Sequence, residues 1–260
     1  MFSILRIIFK LFLFLITISI YFCITIVYFT LSGCSIAKSR KFLIFIISFL
    51  SNWFLFFLNI RVNIKNKNDK ETEHYLIVCN HLSYLDIIII NKCIKSCFVT
   101  SLEIKKTPFL GWICRLGGCL FVNRKNFHRL NEEITSISSV IKSGLNVTFF
   151  PEATSTDGKE IRVFKKPLFQ SAILAQSPIL PLCINYLKIN GEDINITNKD
   201  KIFWYGDMRF FSHLLKLFSC KSILVEVKFL DRIDNRPELT KALLAEESYK
   251  VIEENFKPIT

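Results

Sequence analysis

Two apolar stretches open the chain. Residues 11–31 run without a charge and are dominated by Leu, Ile, Phe and Val, and residues 42–58 form a second run containing Ser48, Ser51 and Asn52. The first is long enough to cross a hydrocarbon core of about 30 Å as a helix, and the second sits at the lower limit. Trp53 lies near the end of the second run, where an indole suits a lipid–water interface. No small-x-small cleavage site follows the first run, so it is expected to be retained. Residues 1–60 therefore read as a hydrophobic helical hairpin that anchors the chain to a membrane. Residues 61–74 are polar and lysine-rich and read as a linker.

From residue 75 the pattern changes to alternation. Short β-rich runs are predicted at 75–79, 97–100, 119–122, 145–150, 179–185, 202–205 and 222–230. Helix-like stretches lie between several of them, at 82–91, 127–143, 168–176 and 209–218, and a polar amphipathic stretch at 237–256 reads as a terminal helix. Strand–helix alternation predicts an α/β domain over 75–260, a mixed sheet flanked by helices.

Charge refines the picture. The net charge is +12, and residues 1–60 hold five basic and no acidic residues, which leaves the remainder at +7. The loop between the apolar runs carries Lys38, Arg40 and Lys41. The flanks carry Arg6 and Lys10 on one side and Arg61, Lys65 and Lys67 on the other. If both helices crossed the bilayer, the basic loop would face the wrong side. A hairpin lying in one leaflet, with every basic segment at the same headgroup surface, removes the conflict. There is no zinc-finger spacing or RNA-binding aromatic motif, so the basic balance points to a lipid bilayer and not to nucleic acid. Nine cysteines form no C-x-x-C pair and read as small buried hydrophobes, with no metal site expected.

Three segments carry candidate chemistry. Asn80-His81-Leu82-Ser83-Tyr84-Leu85-Asp86 follows an apolar run, and His81 alone among the four histidines has Asp five residues on. A carboxylate-held imidazole makes a hydroxyl nucleophilic near neutral pH. Five residues on a continuous helix point about 140° apart, so the pair can meet only if His81 lies in the turn before the helix. In the second segment Gly117 and Gly118 open a short strand with Arg124 at its carboxyl end, suited to bidentate phosphate recognition or simply a surface arginine. The third, 149–158, ends a buried strand at Pro151 and presents Glu152, Thr154 and Ser155, with Lys165 and Lys166 ahead of Pro167.

Taken together, these segments resemble the glycerolipid acyltransferase family typified by 1-acylglycerol-3-phosphate acyltransferase. The resemblance covers about residues 75–185: His81 to Asp86, Gly118 to Arg124, Phe150-Pro151-Glu152-Ala153-Thr154-Ser155, and Leu180-Pro181-Leu182, with Glu103, Pro108 and Gly111-Trp112 between. It implies a membrane-bound enzyme that moves a fatty acyl group from acyl-CoA or acyl-carrier protein to the free hydroxyl of lysophosphatidic acid. No bound cofactor is implied. His81 would be the general base, Asp86 its orienting partner, and Arg124, Glu152, Thr154, Ser155, Lys165 and Lys166 the acceptor site. In bacterial members the setting would be the inner membrane, with the catalytic domain on the cytoplasmic side. Two departures stand out: Ala153 replaces the family's glycine and Ser155 its arginine. The second keeps a phosphate-free acceptor such as a lyso-ornithine lipid open. A non-catalytic membrane-shaping protein is the reading from another class.

Overall fold

The computed structural model describes residues 2–67, 73–123, 129–236 and 238–260. Two long helices come first, α1 (Phe2–Leu31) and α2 (Ile36–Leu58). Both are long and apolar enough to cross a membrane by length and composition. Ser35 caps α2, and Asn59 ends it in the left-handed conformation, turning the chain directly into β1 (Ile60–Lys65). β2 (Leu76–Cys79), α3 (Leu85–Cys93), β3 (Cys97–Ser101), α4 (Leu102–Lys106), α5 (Leu110–Leu116), β4 (Leu120–Val122), α6 (Leu130–Lys142) and β5 (Val147–Phe149) follow. A 3₁₀ turn (Pro167–Phe169) leads into α7 (Gln170–Ala175), then β6 (Ile179–Ile189), β7 (Glu192–Asp193), α8 (Phe210–Ser219), β8 (Ile223–Phe229) and α9 (Lys241–Glu253).

The sheet runs β1-β8-β6-β2-β5-β3-β4, with β7 paired to β6. It is mixed: β6, β2, β5, β3 and β4 are mutually parallel, and β8 is antiparallel to β6. Central β2 is apolar at every position because both its faces are covered. Ile77 and Cys79 face a core built with Leu85 and Ile89 of α3, Leu58 of α2 and Leu217 of α8. Leu76 and Val78 face the opposite core, with Ile137 and Ile141 of α6, Ala172 of α7 and Leu244 and Ile252 of α9.

The hairpin is packed onto this domain. Phe14 of α1 packs edge-on against Phe54 of α2 and at a tilt against Phe218 of α8, with ring centroids 6.1 and 5.8 Å away. At the hairpin's open end, Arg6 donates to the Ser219 carbonyl at 2.7 Å, and the buried Lys10 ammonium bonds the Leu58 and Cys220 carbonyls at 3.2 and 2.7 Å. At the loop end, Arg40 donates to the Gly118 carbonyl at 3.0 Å. Between them the Tyr21 hydroxyl bonds the Ile113 carbonyl at 2.7 Å.

Three sequence expectations change. Residues 60–65, read as hairpin end and linker, form a strand of the sheet: Ile60, Val62 and Ile64 alternate with Arg61, Asn63 and Lys65 and pair with β8 at the sheet edge. Residues 202–205 are not a strand. Ile202 and Phe203 are buried, but the backbone is tied to the loop after β2 through Trp204 N–H to Leu82 O at 3.0 Å. Helices α4 and α5 were not anticipated; they are too short to show a periodicity.

Candidate active site

Parallel strands β2 and β5 are neighbours, and the two main motifs leave their carboxyl ends side by side. Beyond Cys79, the Asn80 side chain bonds both the N–H and the carbonyl of Ile184 on β6, at 2.8 and 2.9 Å. That clasp holds the chain end while residues 81–84 turn into α3. His81 therefore precedes the helix and Asp86 lies in its first turn, where a carboxylate suits the helix dipole.

Asp86 is fully buried and saturated with donors. Its Oδ2 accepts the Leu82 and Ser83 amides at 2.7 and 2.9 Å and contacts His81 Nδ1 at 2.9 Å. Its Oδ1 accepts the Tyr186 hydroxyl at 2.7 Å. The carboxylate thus closes its own helix turn and fixes the imidazole, leaving His81 Nε2 for chemistry. The imidazole stacks on Phe150, centroids 3.9 Å apart and planes 9° from parallel, with its side chain 16% exposed. Burial holds the Tyr186 phenol well above its ordinary value, and the Asp86 charge adds to it. The hydroxyl therefore remains a donor at working pH.

The turn after β5 encloses His81 from the other side. Glu152 is only 3% exposed; its Oε1 accepts the His81 amide at 2.7 Å and its Oε2 the Arg162 amide at 2.9 Å. Burial pushes its carboxyl up to about 7, with a smaller push from Asp86, against the lowering effect of the two amide bonds. The Thr156 amide returns a bond to the His81 carbonyl at 2.9 Å. Ala153 sits at φ +64°, a conformation that costs a residue with a Cβ, and its amide reaches the Phe150 carbonyl at 3.0 Å.

The remaining sequence-derived residues are distributed unevenly. Thr154 is exposed. Ser155 is buried, and its hydroxyl donates to the Trp204 carbonyl. Lys165 and Lys166 are exposed, brought to the Pro151 turn by a Lys165 N–H to Pro151 O bond of 2.8 Å. Arg124 lies outside the described residues; β4, which precedes it, runs parallel to β2 and ends at Val122, at the same carboxyl end of the sheet as the His81 turn. The buried Lys199 braces the loop, bonding the Asp157 carbonyl and carboxylate at 3.0 and 3.1 Å and the Tyr205 hydroxyl at 3.1 Å.

Tyr186 and Asn80 escaped sequence reasoning. Tyr186 lies just beyond the proline-centred run, beside a β-bulge between Tyr186 and Lys188, and reaches Asp86 across 100 residues of chain. Asn80 precedes the histidine directly, and adjacency to His81 was its only signal.

Residues 61–185 match the Acyltransferase family. The chain is 33% identical over 147 residues to a lyso-ornithine lipid O-acyltransferase of Rhodobacter capsulatus, covering 55% of this chain and 51% of that protein. It is 28% identical over 173 residues to a 1-acyl-sn-glycerol-3-phosphate acyltransferase of Neisseria gonorrhoeae, covering 66% of each. The match thus spans between about half and two thirds of these relatives' lengths. The solved structure of the 1-acyl-sn-glycerophosphate (LPA) acyltransferase PlsC from Thermotoga maritima shares the fold, with a TM-score of 0.70 at 19% identity over 97% of this chain and 94% of that one.

Proposed function

We propose, from the match of residues 61–185 to the Acyltransferase family, that the protein acylates a membrane lysolipid by direct transfer from a thioester donor. The observation that carries this reading is the His81–Asp86 contact of 2.9 Å, with Asp86 buried and held by three further donors. His81 Nε2 removes the proton from the lysolipid hydroxyl as the oxygen attacks the thioester carbonyl. Asp86 stabilises the imidazolium formed. The tetrahedral intermediate then collapses, and His81 returns the proton to the departing thiolate. The donor is acyl-CoA or acyl-carrier protein.

The acceptor we assign is lysophosphatidic acid, whose phosphate would meet Arg124, Lys165 and Lys166, with Thr154 at the mouth of the same turn. Glu152 acts from beneath, by fixing the His81 backbone. A second acceptor class, a lyso-ornithine lipid, is favoured by one observation: Ser155, in place of the family's arginine, turns its hydroxyl inward to Trp204 and offers no cation. The relatives include both kinds of enzyme.

The hairpin supplies access to lipid. Because Arg6 and Lys10 at one end and Arg40 at the other all bond the same domain, α1 and α2 lie across its face. That arrangement supports a hairpin within one leaflet; the membrane we assign, by analogy with bacterial members of the family, is the inner one, with the domain on its cytoplasmic side. Offering lysophosphatidic acid and a lyso-ornithine lipid separately to the purified chain, with long-chain acyl-CoA and then acyl-carrier protein as donors, tests the assignment. Product from lysophosphatidic acid supports it. Product from the phosphate-free acceptor alone transfers it to the second class, and no product with any pair contradicts acyl transfer.

A further inference from the structure

A cavity of about 340 Å³ opens between the last turn of α2, the start of β1 and the last turn of α3. It lies at the opposite end of α3 from Asp86. Asn52, Phe56, Asn59, Arg61 and Lys92 line it, and among the described residues no carboxylate does. Arg61 and Lys92 are exposed, and neither has a hydrogen-bond or ion-pair partner among the described residues. Two cations thus share a concavity with no neutralising group among the described residues.

The apolar side of the cavity is equally one-sided. Phe56 is 75% exposed, and Trp53, 42% exposed, packs beside it with centroids 5.9 Å apart. Phe49 and Phe45 continue the exposed stripe along α2 at helical spacing. Aromatic rings that face outward next to free cations fit a boundary between hydrocarbon and phosphate. Two features would oppose an anion here, the carbonyl ends of α2 and of α3 with their partial negative charge; at α3 the Ser48 hydroxyl already occupies the Asn91 carbonyl, at 2.9 Å. At α2, Lys10 offsets the charge by bonding the Leu58 carbonyl at 3.2 Å.

We infer that this cavity seats the headgroup of an anionic phospholipid outside the active site, its phosphate between Arg61 and Lys92 and its glycerol against Phe56. The inference rests on the membrane-bound reading above and adds a lipid class and a location. Occupancy would fix how the domain is turned on the bilayer, with α2 parallel to the surface.

Flotation of the full chain with vesicles tests it. Binding is compared for phosphatidylcholine alone and with phosphatidylglycerol mixed in, for the wild type, Arg61→Ala/Lys92→Ala, and Lys142→Ala/Lys250→Ala as a charge-matched control. At about 1 kcal/mol per surface cation, the double cavity variant should lose up to roughly 30-fold of the gain that phosphatidylglycerol brings. Binding to phosphatidylcholine alone and acyl transfer in detergent should be unchanged, and the control should behave as wild type. An undiminished gain in the cavity variant, or an equal loss in the control, would overturn the inference. Loss of the wild-type gain on adding inorganic phosphate, but not chloride of equal ionic strength, would assign the cavity to free phosphate instead. A wild type that floats with neither vesicle would refute the membrane-bound reading itself, a result distinct from the others.

Discussion

Tyr186→Phe removes a single hydroxyl whose whole visible task is to bond Asp86 Oδ1, at 2.7 Å. Asp86 has no exposed surface, so water cannot replace the lost donor without opening the core. A hydrogen bond to a charged group contributes about 1.5–3 kcal/mol, and its loss leaves a buried carboxylate oxygen unsatisfied. Stability should fall by about 2 kcal/mol, or about 4–8 °C in melting temperature for a chain of this size. The catalytic effect should be smaller, because Oδ2 keeps the Leu82 and Ser83 amides and the contact with His81. Turnover should drop about tenfold, equivalent to about 1.4 kcal/mol of lost positioning, while the acceptor KM stays unchanged. Thermal melting in detergent and steady-state acyl transfer read the two effects separately. A variant as stable and as active as the wild type would refute the buried, donor-saturated Asp86 on which the site depends.

Ala153→Gly relieves a Cβ held at φ +64° and should stabilise the protein by about 1 kcal/mol; a melting temperature that stays the same or falls would show that the turn is not strained. The Glu152 carboxyl is raised to about 7 in the fold, so the folded state holds a proton that the unfolded chain has already released. Stability should accordingly fall as pH rises from about 4.5 to about 7, by on the order of 3 kcal/mol, and then level off. Melting curves of the wild type against Glu152→Gln check this, since the amide lacks that slope although it leaves one of the two backbone donors unmatched. Arg124→Ala and Lys165→Ala/Lys166→Ala should each raise the KM for lysophosphatidic acid with less effect on turnover; an unchanged KM in both would move phosphate recognition elsewhere.

The sheet core and the His81–Asp86 pair were legible because local pattern and tertiary contact coincide there. β2 is uniformly apolar because it is covered on both faces, and a histidine five residues before an aspartate can pair only across a turn. Other features depend on what the chain meets far away. Apolar residues of α2 look alike whether they face lipid or protein, yet Leu43, Leu55 and Leu58 are fully packed while Phe45, Phe49 and Phe56 are exposed. β1 resembles a linker because only Ile60 of its alternating positions is buried. The strand expected at 202–205 was a burial signal without a ladder, since those residues pack beneath the His81 turn. Tyr186 carries no local mark of its bond to Asp86, and the inward turn of Ser155 depends on a carbonyl 49 residues away.

The most direct test of the central claim is acyl transfer from a long-chain acyl-CoA or acyl-carrier protein to lysophosphatidic acid, measured side by side for the wild type and for His81→Ala. General-base catalysis by His81 predicts a loss of about 10²–10⁴-fold in turnover with the fold intact by melting. Turnover within a few-fold of the wild type would contradict it and place the base elsewhere in the site.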